Sequence, residues 1–173
     1  MHRRAFWRTV TLDRSDLLDR LLAFLREHRV RFCVIGGQGV NAYAEPVVSL
    51  DLDLVLGVSD TEHVFASLRE AFILERFAHS LNVSAPGSDL RVQIQTDPRY
   101  LPFVERAADR EVLGERLPVA AIEDVLQGKV WAASDPARRP SKRQKDLADI
   151  ARLLEVRPDL RPRVPLEILE RLF

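Results

Sequence analysis

The sequence holds a single cysteine, no long apolar run and no surplus of either charge. Cys33 is alone, so no internal disulfide can form. It lies in the apolar run "RFCVIGG" and is expected as a buried thiol, which suits a reducing compartment. Nothing approaches the about 18 consecutive apolar residues of a membrane-spanning helix. The opening "MHRRAFWRTV" lacks the apolar core of a signal peptide. A cytoplasmic protein with no membrane association is the expectation by elimination. Lys and Arg number 26 and Asp and Glu 26, so there is no global attraction to nucleic acid; any such binding has to come from a local patch. Aromatics make up only 7%, which argues with the neutral charge against a plain RNA-binding protein. The histidines, His2, His28, His63 and His79, are scattered without ligand spacing, which argues against zinc.

What is present describes an ordinary globular protein, 46% hydrophobic and 30% charged. Leucines at 17, 18, 21, 22 and 25 repeat at helical spacing, so a helix is expected over 14–28, capped by Asp13 or Ser15. "VRFCVIGG" reads as a buried strand, and "QGVNAYAEP" as a short helix closed by Pro46. Residues 48–56 read as a strand. Ser59-x-x-Glu62 reads as a capping box before the next helix. "ILERFAH" and "LRVQIQTD" are strand-like, with the turn "APGSD" between them. A helix is expected over 99–108 and short strands around Gly114. From Ala121 the texture turns helical: "AIEDVLQGKVWAAS", the linker "DPARRP", then a helix capped by Ser141-x-x-Gln144. Prolines 158, 162 and 165 precede a last short helix. The expected fold class is α/β (α+β), a mixed sheet flanked by helices, with an α/β core over 1–120 and a helical region over 121–173.

One strand asks for an explanation. In "VVSLDLDLVLG", Leu50, Leu52, Leu54 and Leu56 share one face, and Asp51 and Asp53 share the other. Two like charges on one strand face repel. A divalent ion between them that also bridges phosphate oxygens offsets that cost. Gly36-Gly37 ends the preceding strand and opens a helix, where backbone N–H groups favour phosphate. The competing explanation is a half-solvated strand beside an incidental glycine turn; the paired order and spacing favour the site.

"VIGGQGVNAYAEPVVSLDLDLVL" resembles the signature of the nucleotidyltransferase superfamily, the DNA polymerase beta-like fold. "LPVAAIEDVLQGKVWA…SKRQKDLADIARLLE" resembles the helical region of abortive-infection-type nucleotidyltransferase toxins and their uncharacterised relatives. The resemblance spans roughly 30–156. It implies transfer of a nucleotidyl group from an NTP to an RNA or protein acceptor, with Mg²⁺ (or Mn²⁺) as cofactor. It implies that Asp51 and Asp53 are catalytic and hold the metal, and that Gly36 and Gly37 hold phosphates. A toxin–antitoxin component with a cognate antitoxin or other partner protein falls within what it implies.

The superfamily usually supplies a third carboxylate from a later strand. Here that strand is "LRVQIQTD", with Val92 and Ile94 facing the core, so Gln93 and Gln95 face the site. A glutamine carbonyl can ligate a metal but brings no charge and cannot act as a base. Asp97 shares their parity, although Pro98 follows it; Asp89 and Glu45 are further candidates. Either a substitute carboxylate comes from elsewhere, or transfer is weak, or the chain is an impaired nucleotidyltransferase acting as a nucleotide- or partner-binding regulatory module.

The cluster Arg138, Arg139, Lys142, Arg143 and Lys145 is the main basic patch. Lys142 and Arg143 fall in the first turn of the expected helix, where cations oppose the macrodipole by about 0.3–1 kcal/mol each. A bound anion relieves this, so Lys142 and Lys145 are candidate phosphate ligands; a solvated helix face is the alternative. Lys129, in an otherwise apolar helix, points to a phosphate or snorkels out. Asp146 and Asp149 are expected to pair with nearby Lys or Arg, and Trp131 and Tyr43 to pack.

Overall fold

The computed structural model describes residues 16–173. The possible caps Asp13 and Ser15, and His2, lie outside them. Helix α1 (Leu17–Glu27) buries Leu17, Leu18, Leu21, Leu22 and Leu25, the whole leucine stripe. It leads through a turn into β1 (Phe32–Ile35), buried at all four positions. A short α2 (Gly36–Asn41) and a loop return the chain to β2 (Asp51–Leu56). There follow α3 (Thr61–Leu68), β3 (Ile73–Arg76), β4 (Ser80–Ser84), β5 (Arg91–Gln95), β6 (Ala108–Val112) and β7 (Glu115–Val119). The chain ends in α4 (Ile122–Ser134), α5 (Pro140–Val156) and the short α6 (Leu166–Leu169).

The strands form one mixed seven-stranded sheet in the order β3-β4-β5-β2-β1-β7-β6. β1 pairs antiparallel with β2 and parallel with β7; β2 pairs parallel with β5. Alternation assigns each face. Leu52, Leu54 and Leu56 of β2 join α1, α3, Val92 and Ile94 in one core. Cys33, Ile35 and Val55 point the other way and join Val125, Leu126, Ile150 and Leu153 of α4 and α5 in a second core. Asp51 and Asp53 lie on the second face, so the C-terminal helices stand over the carboxylates.

Several local expectations are corrected. The α3 cap is Asp60, which accepts from the Glu62 N–H at 3.1 Å, and not Ser59. Helix α5 opens on Pro140 without a side-chain cap, so Ser141 is already helical; proline's fixed φ starts the helix one residue before the polar cap that the spacing suggests. The helix expected over 99–108 is a 3₁₀ segment, Pro98–Val104, and β6 begins at Ala108. Its internal Pro102 has no N–H for a continuing helix. Among the described residues, no helix is long and apolar enough to cross a membrane.

Candidate active site

Register brings the candidate residues together. Asp53 pairs with Ile35 of β1 on one side and with Gln93 of β5 on the other, and Asp51 pairs with Arg91. Gln93 in turn pairs with Asn82 of β4. Asp51, Asp53, Gly37, Ser49, Gln93, Lys129, Lys142 and Lys145 all line one cavity of about 670 Å³. Its roof is the α4–α5 linker and the first turns of α5, including Arg138 and Arg139.

Gly36 is the hinge between β1 and α2. It has φ +64°, a region L side chains rarely adopt. A Cβ built there would also stand 2.0 Å from Asp53 Oδ2. Gly36 thus makes room for the carboxylate and lines a smaller, adjoining cavity of about 130 Å³ with Asp53, Gln93 and Gln95. Gly37 borders the large cavity; among the described residues only Ser49 Oγ, at 3.8 Å, stands near its open side. The loop that carries the chain from α2 to Asp51 is pinned. The buried Gln38 amide donates to Ser49 O at 3.0 Å, and the Asn41 side chain exchanges hydrogen bonds with both backbone groups of Val47.

The carboxylates are not equivalent. Asp51 is partly open and accepts an ion pair from Arg91 Nε at 2.7 Å, with Lys142 Nζ 4.0 Å from its other oxygen. Asp53 is also half-buried; desolvation pushes its carboxyl up to about 6, Lys129 pulls against that, and Asp51 adds to it.

Lys129 is buried and faces α5, with Nζ 3.1 Å from Asp146 Oδ1 and 2.8 Å from Asp149 Oδ2. Burial lowers the ammonium pKa, but Asp149 and Asp146 outweigh it and hold it above the usual lysine range. Arg138 caps Asp146 with a 2.8 Å bond, and Arg152 pairs with Asp149 at 2.9 Å. Arg152 also reaches Asn41 Oδ1 at 2.9 Å, tying α5 to α2. The expected pairing of Asp146 and Asp149 with basic groups is therefore present, and both aspartates are buried.

The third-carboxylate candidates divide clearly. Gln93 sits beside Asp53; Gln95 is one pleat further and accepts from the Asp97 N–H at 3.0 Å. Asp97 caps the 3₁₀ segment through Arg99 N at 2.9 Å and is forked by the Arg99 guanidinium, which holds its carboxyl below the usual range. It lines a neighbouring cavity of about 500 Å³ with Gln95, Arg99 and Trp131, which shares Gln93 and Arg138 with the one holding Asp51. Asp89 and Glu45 are exposed loop residues outside these cavities. Arg143, expected in the basic patch, turns away and donates to Asp135 O at 2.8 Å. Trp131 stacks on Phe103, and Tyr43 donates to Ala120 O at 2.7 Å, both in packing roles.

Two carboxylates on one face beside an uncharged amide form a hard-oxygen donor set. It fits a single Mg²⁺ completed by water and substrate phosphates. Among the described residues, no group of three or more His, Cys, Asp or Glu side chains is placed to hold a metal.

This arrangement has relatives. The family described as "Nucleotidyl transferase AbiEii toxin, Type IV TA system" matches residues 16–172. The chain belongs to the AbiEii nucleotidyltransferase toxin family. No curated protein matches the sequence. The fold is also that of solved nucleotidyltransferases. The antibiotic-resistance factor ANT(2'')-Ia is similar at TM-score 0.55 and 14% identity, over 90% of this chain and 94% of that one. The lincosamide antibiotic adenylyltransferase LnuA is similar at 0.52 and 12%, over 80% and 97%. JHP933 from Helicobacter pylori is similar at 0.53 and 17%, over 93% and 72%.

Within this AbiEii-family chain the pattern of residues left several cavity-lining positions unnoticed, among them Arg91, Asn82 and Phe77. Arg91 was within reach, since it shares a parity with Gln93 and Gln95. Asn82 and Phe77 come from β4 and the β3–β4 turn, and nothing local in their sequence ties them to Asp53.

Proposed function

We propose that this AbiEii-family chain transfers a nucleoside monophosphate from an NTP, with Mg²⁺, to a hydroxyl of an RNA or protein acceptor. The convergence of Asp51 and Asp53 with Gly37, Lys142 and Lys145 on one cavity is the observation that carries this reading. The acceptor oxygen bonds to the α-phosphorus, the bond to the β-phosphate bridge breaks, and pyrophosphate leaves. Asp51 and Asp53 would hold Mg²⁺, which would supply charge neutralisation for the transferring group. Lys142 and Lys145 meet the triphosphate at the open end of the cavity, beside Gly37. Arg91, which pairs with Asp51 at 2.7 Å, would be free to meet a phosphate oxygen instead. Gln93, beside Asp53, takes no proton, so the hydroxyl proton passes to solvent. The reading places the reaction in the cytoplasm and, with the family's toxin membership, opposite a cognate antitoxin.

The test is incubation with each labelled NTP and total RNA or protein, beside an Asp51→Asn/Asp53→Asn variant. Transfer in the wild type and none in the variant supports the reading, provided that the variant keeps its circular dichroism. Uncharged Gln93 beside Asp53 favours a second reading, a nucleotide-binding regulatory module without transfer. Metal-dependent NTP binding with no labelled product from any acceptor would support that one instead.

A further inference from the structure

The large cavity is chemically lopsided. Gly37, Ser49, Lys142 and Lys145 make one end polar and cationic. At another part of its wall stands Phe77, the single aromatic among its described lining residues. Phe77 belongs to the β3–β4 turn, closed by its own N–H donating to Ser80 O at 2.8 Å. It is 49% exposed and is part of neither core. Among the described residues it meets no other ring and no cation. A lone exposed phenylalanine is ordinary on a protein surface. One at the rim of a cavity otherwise built of charged and polar groups leaves a π face with no partner.

Register adds a second, independent feature. Asp53, Gln93 and Asn82 are cross-strand neighbours on β2, β5 and β4. Two strand spacings, about 10 Å, therefore separate the first from the last. Leu81 and Val83 on either side of Asn82 are buried in the core of the opposite face, so Asn82 turns toward the cavity. Its carboxamide makes no hydrogen bond with a described residue. A free amide offers an acceptor and a donor side by side, the pattern that reads a base edge.

We propose that Phe77 and Asn82 form the nucleobase subsite of this cavity, Phe77 stacking on the base and Asn82 reading its edge. This rests on the NTP reading above. With the α-phosphate over Asp53, the ribose crosses Gln93 and the base reaches Asn82 beneath Phe77. Every base has a π face, so Phe77 binds all four alike. Asn82 ranks them, because only some edges match its donor and acceptor.

Calorimetry with tripolyphosphate and with four non-hydrolysable NTP analogues, all with Mg²⁺, tests this on wild type, Phe77→Ala, Phe77→Tyr and Asn82→Ala. Phe77→Ala should leave tripolyphosphate affinity unchanged and weaken all four analogues by roughly 5- to 150-fold, the range that stacking on one aromatic supplies. Phe77→Tyr should restore them. Asn82→Ala should narrow the spread among the four analogues. Equal loss of tripolyphosphate and analogue affinity in Phe77→Ala, or no loss of either, overturns the subsite. A wild type that binds tripolyphosphate as tightly as every analogue overturns the subsite and leaves the phosphate reading standing. A wild type that binds neither overturns both.

Discussion

Gly36 and Asp53 compete for one volume: a Cβ on residue 36 would stand 2.0 Å from Asp53 Oδ2 and 2.8 Å from its Cγ. The β1–α2 hinge and the carboxylate are therefore specified together. Gly36→Ala carries two penalties. The left-handed backbone costs an L residue about 1–2 kcal/mol, and the clash forces Asp53 aside. Asp53→Ala removes the Oδ2 and Cγ contacts, keeps the Cβ one at 3.0 Å and leaves the backbone penalty. Urea denaturation of both single variants and the double should show the double less destabilised than the sum of the singles. Strict additivity would mean that the contact does not exist in solution.

The buried charges on α4 and α5 should behave as a unit. Lys129→Ala removes one member between Asp146 and Asp149 while Arg138 and Arg152 stay. Removing one partner from a buried pair costs about 3–5 kcal/mol when nothing compensates; the two arginines should hold the loss nearer about 2–3 kcal/mol. Lys129→Met, which keeps the stem, should lose less than Lys129→Ala. The same variant separates fold from chemistry. NTP affinity unchanged in Lys129→Met marks the lysine as structural, and a loss of affinity at full folding marks it as a phosphate ligand.

Alkaline pH should reveal the second core. Burial, helped by Asp124, pushes the Cys33 thiol from 9.0 up to about 12, and burial pushes the Tyr100 hydroxyl from 10.0 up to about 12. Both pKa values are higher in the folded chain, so the protonated forms favour folding. Their effect on stability is flat below pH 9. It declines from pH 9 as unfolded Cys33 ionises, and from pH 10 as unfolded Tyr100 joins it. Each group contributes a slope of about 1.4 kcal/mol per pH unit. Denaturation between pH 8 and 11 should show this decline in the wild type and a later onset in Cys33→Ala. A thiol reagent should label Cys33 at the rate of unfolding, since the side chain is fully buried.

What could be read in the residues follows from how local each signal is. The leucine stripe of α1 and the Leu–Asp alternation of β2 are periodic, and each sorted its side chains to the faces observed. That Gln93 and Gln95 face the same side as Asp53 was legible through parity and the resemblance, but which of them lies beside Asp53 was not. Helix starts were not: Asp60 displaced Ser59, and Pro140 pre-empted Ser141. Neighbouring residues both offer caps, and the choice depends on where the preceding loop arrives. Partnerships across the fold were beyond reach as well. Arg91 meets Asp51 only because β5 lies beside β2 in one register, and Lys129 meets Asp149 only because α4 packs on α5. The exposed ring of Phe77 carries no periodic signal at all.

The position of the missing carboxylate can now be tested at one residue. Gln93 is the direct neighbour of Asp53, whereas Gln95 sits opposite Val55 and its oxygen is occupied by the Asp97 N–H. Asp97 is held by Arg99 in a cap that would have to break before it could swing toward Asp53. Gln93→Asp should therefore place a third carboxylate beside Asp53, and Gln95→Asp should not. The cost is repulsion among three acidic groups on one sheet face, so Gln93→Asp should melt lower than the wild type without metal. Excess Mn²⁺ should reverse that order, because a ligand that binds only the folded state stabilises it by mass action. Counting Mn²⁺ by electron paramagnetic resonance, in the presence of a non-hydrolysable NTP, should give one ion for the wild type and Gln95→Asp and two for Gln93→Asp. Two ions in the wild type would mean that a carboxylate from elsewhere completes the site. One ion in Gln93→Asp would mean that the β5 position is not where the second metal binds.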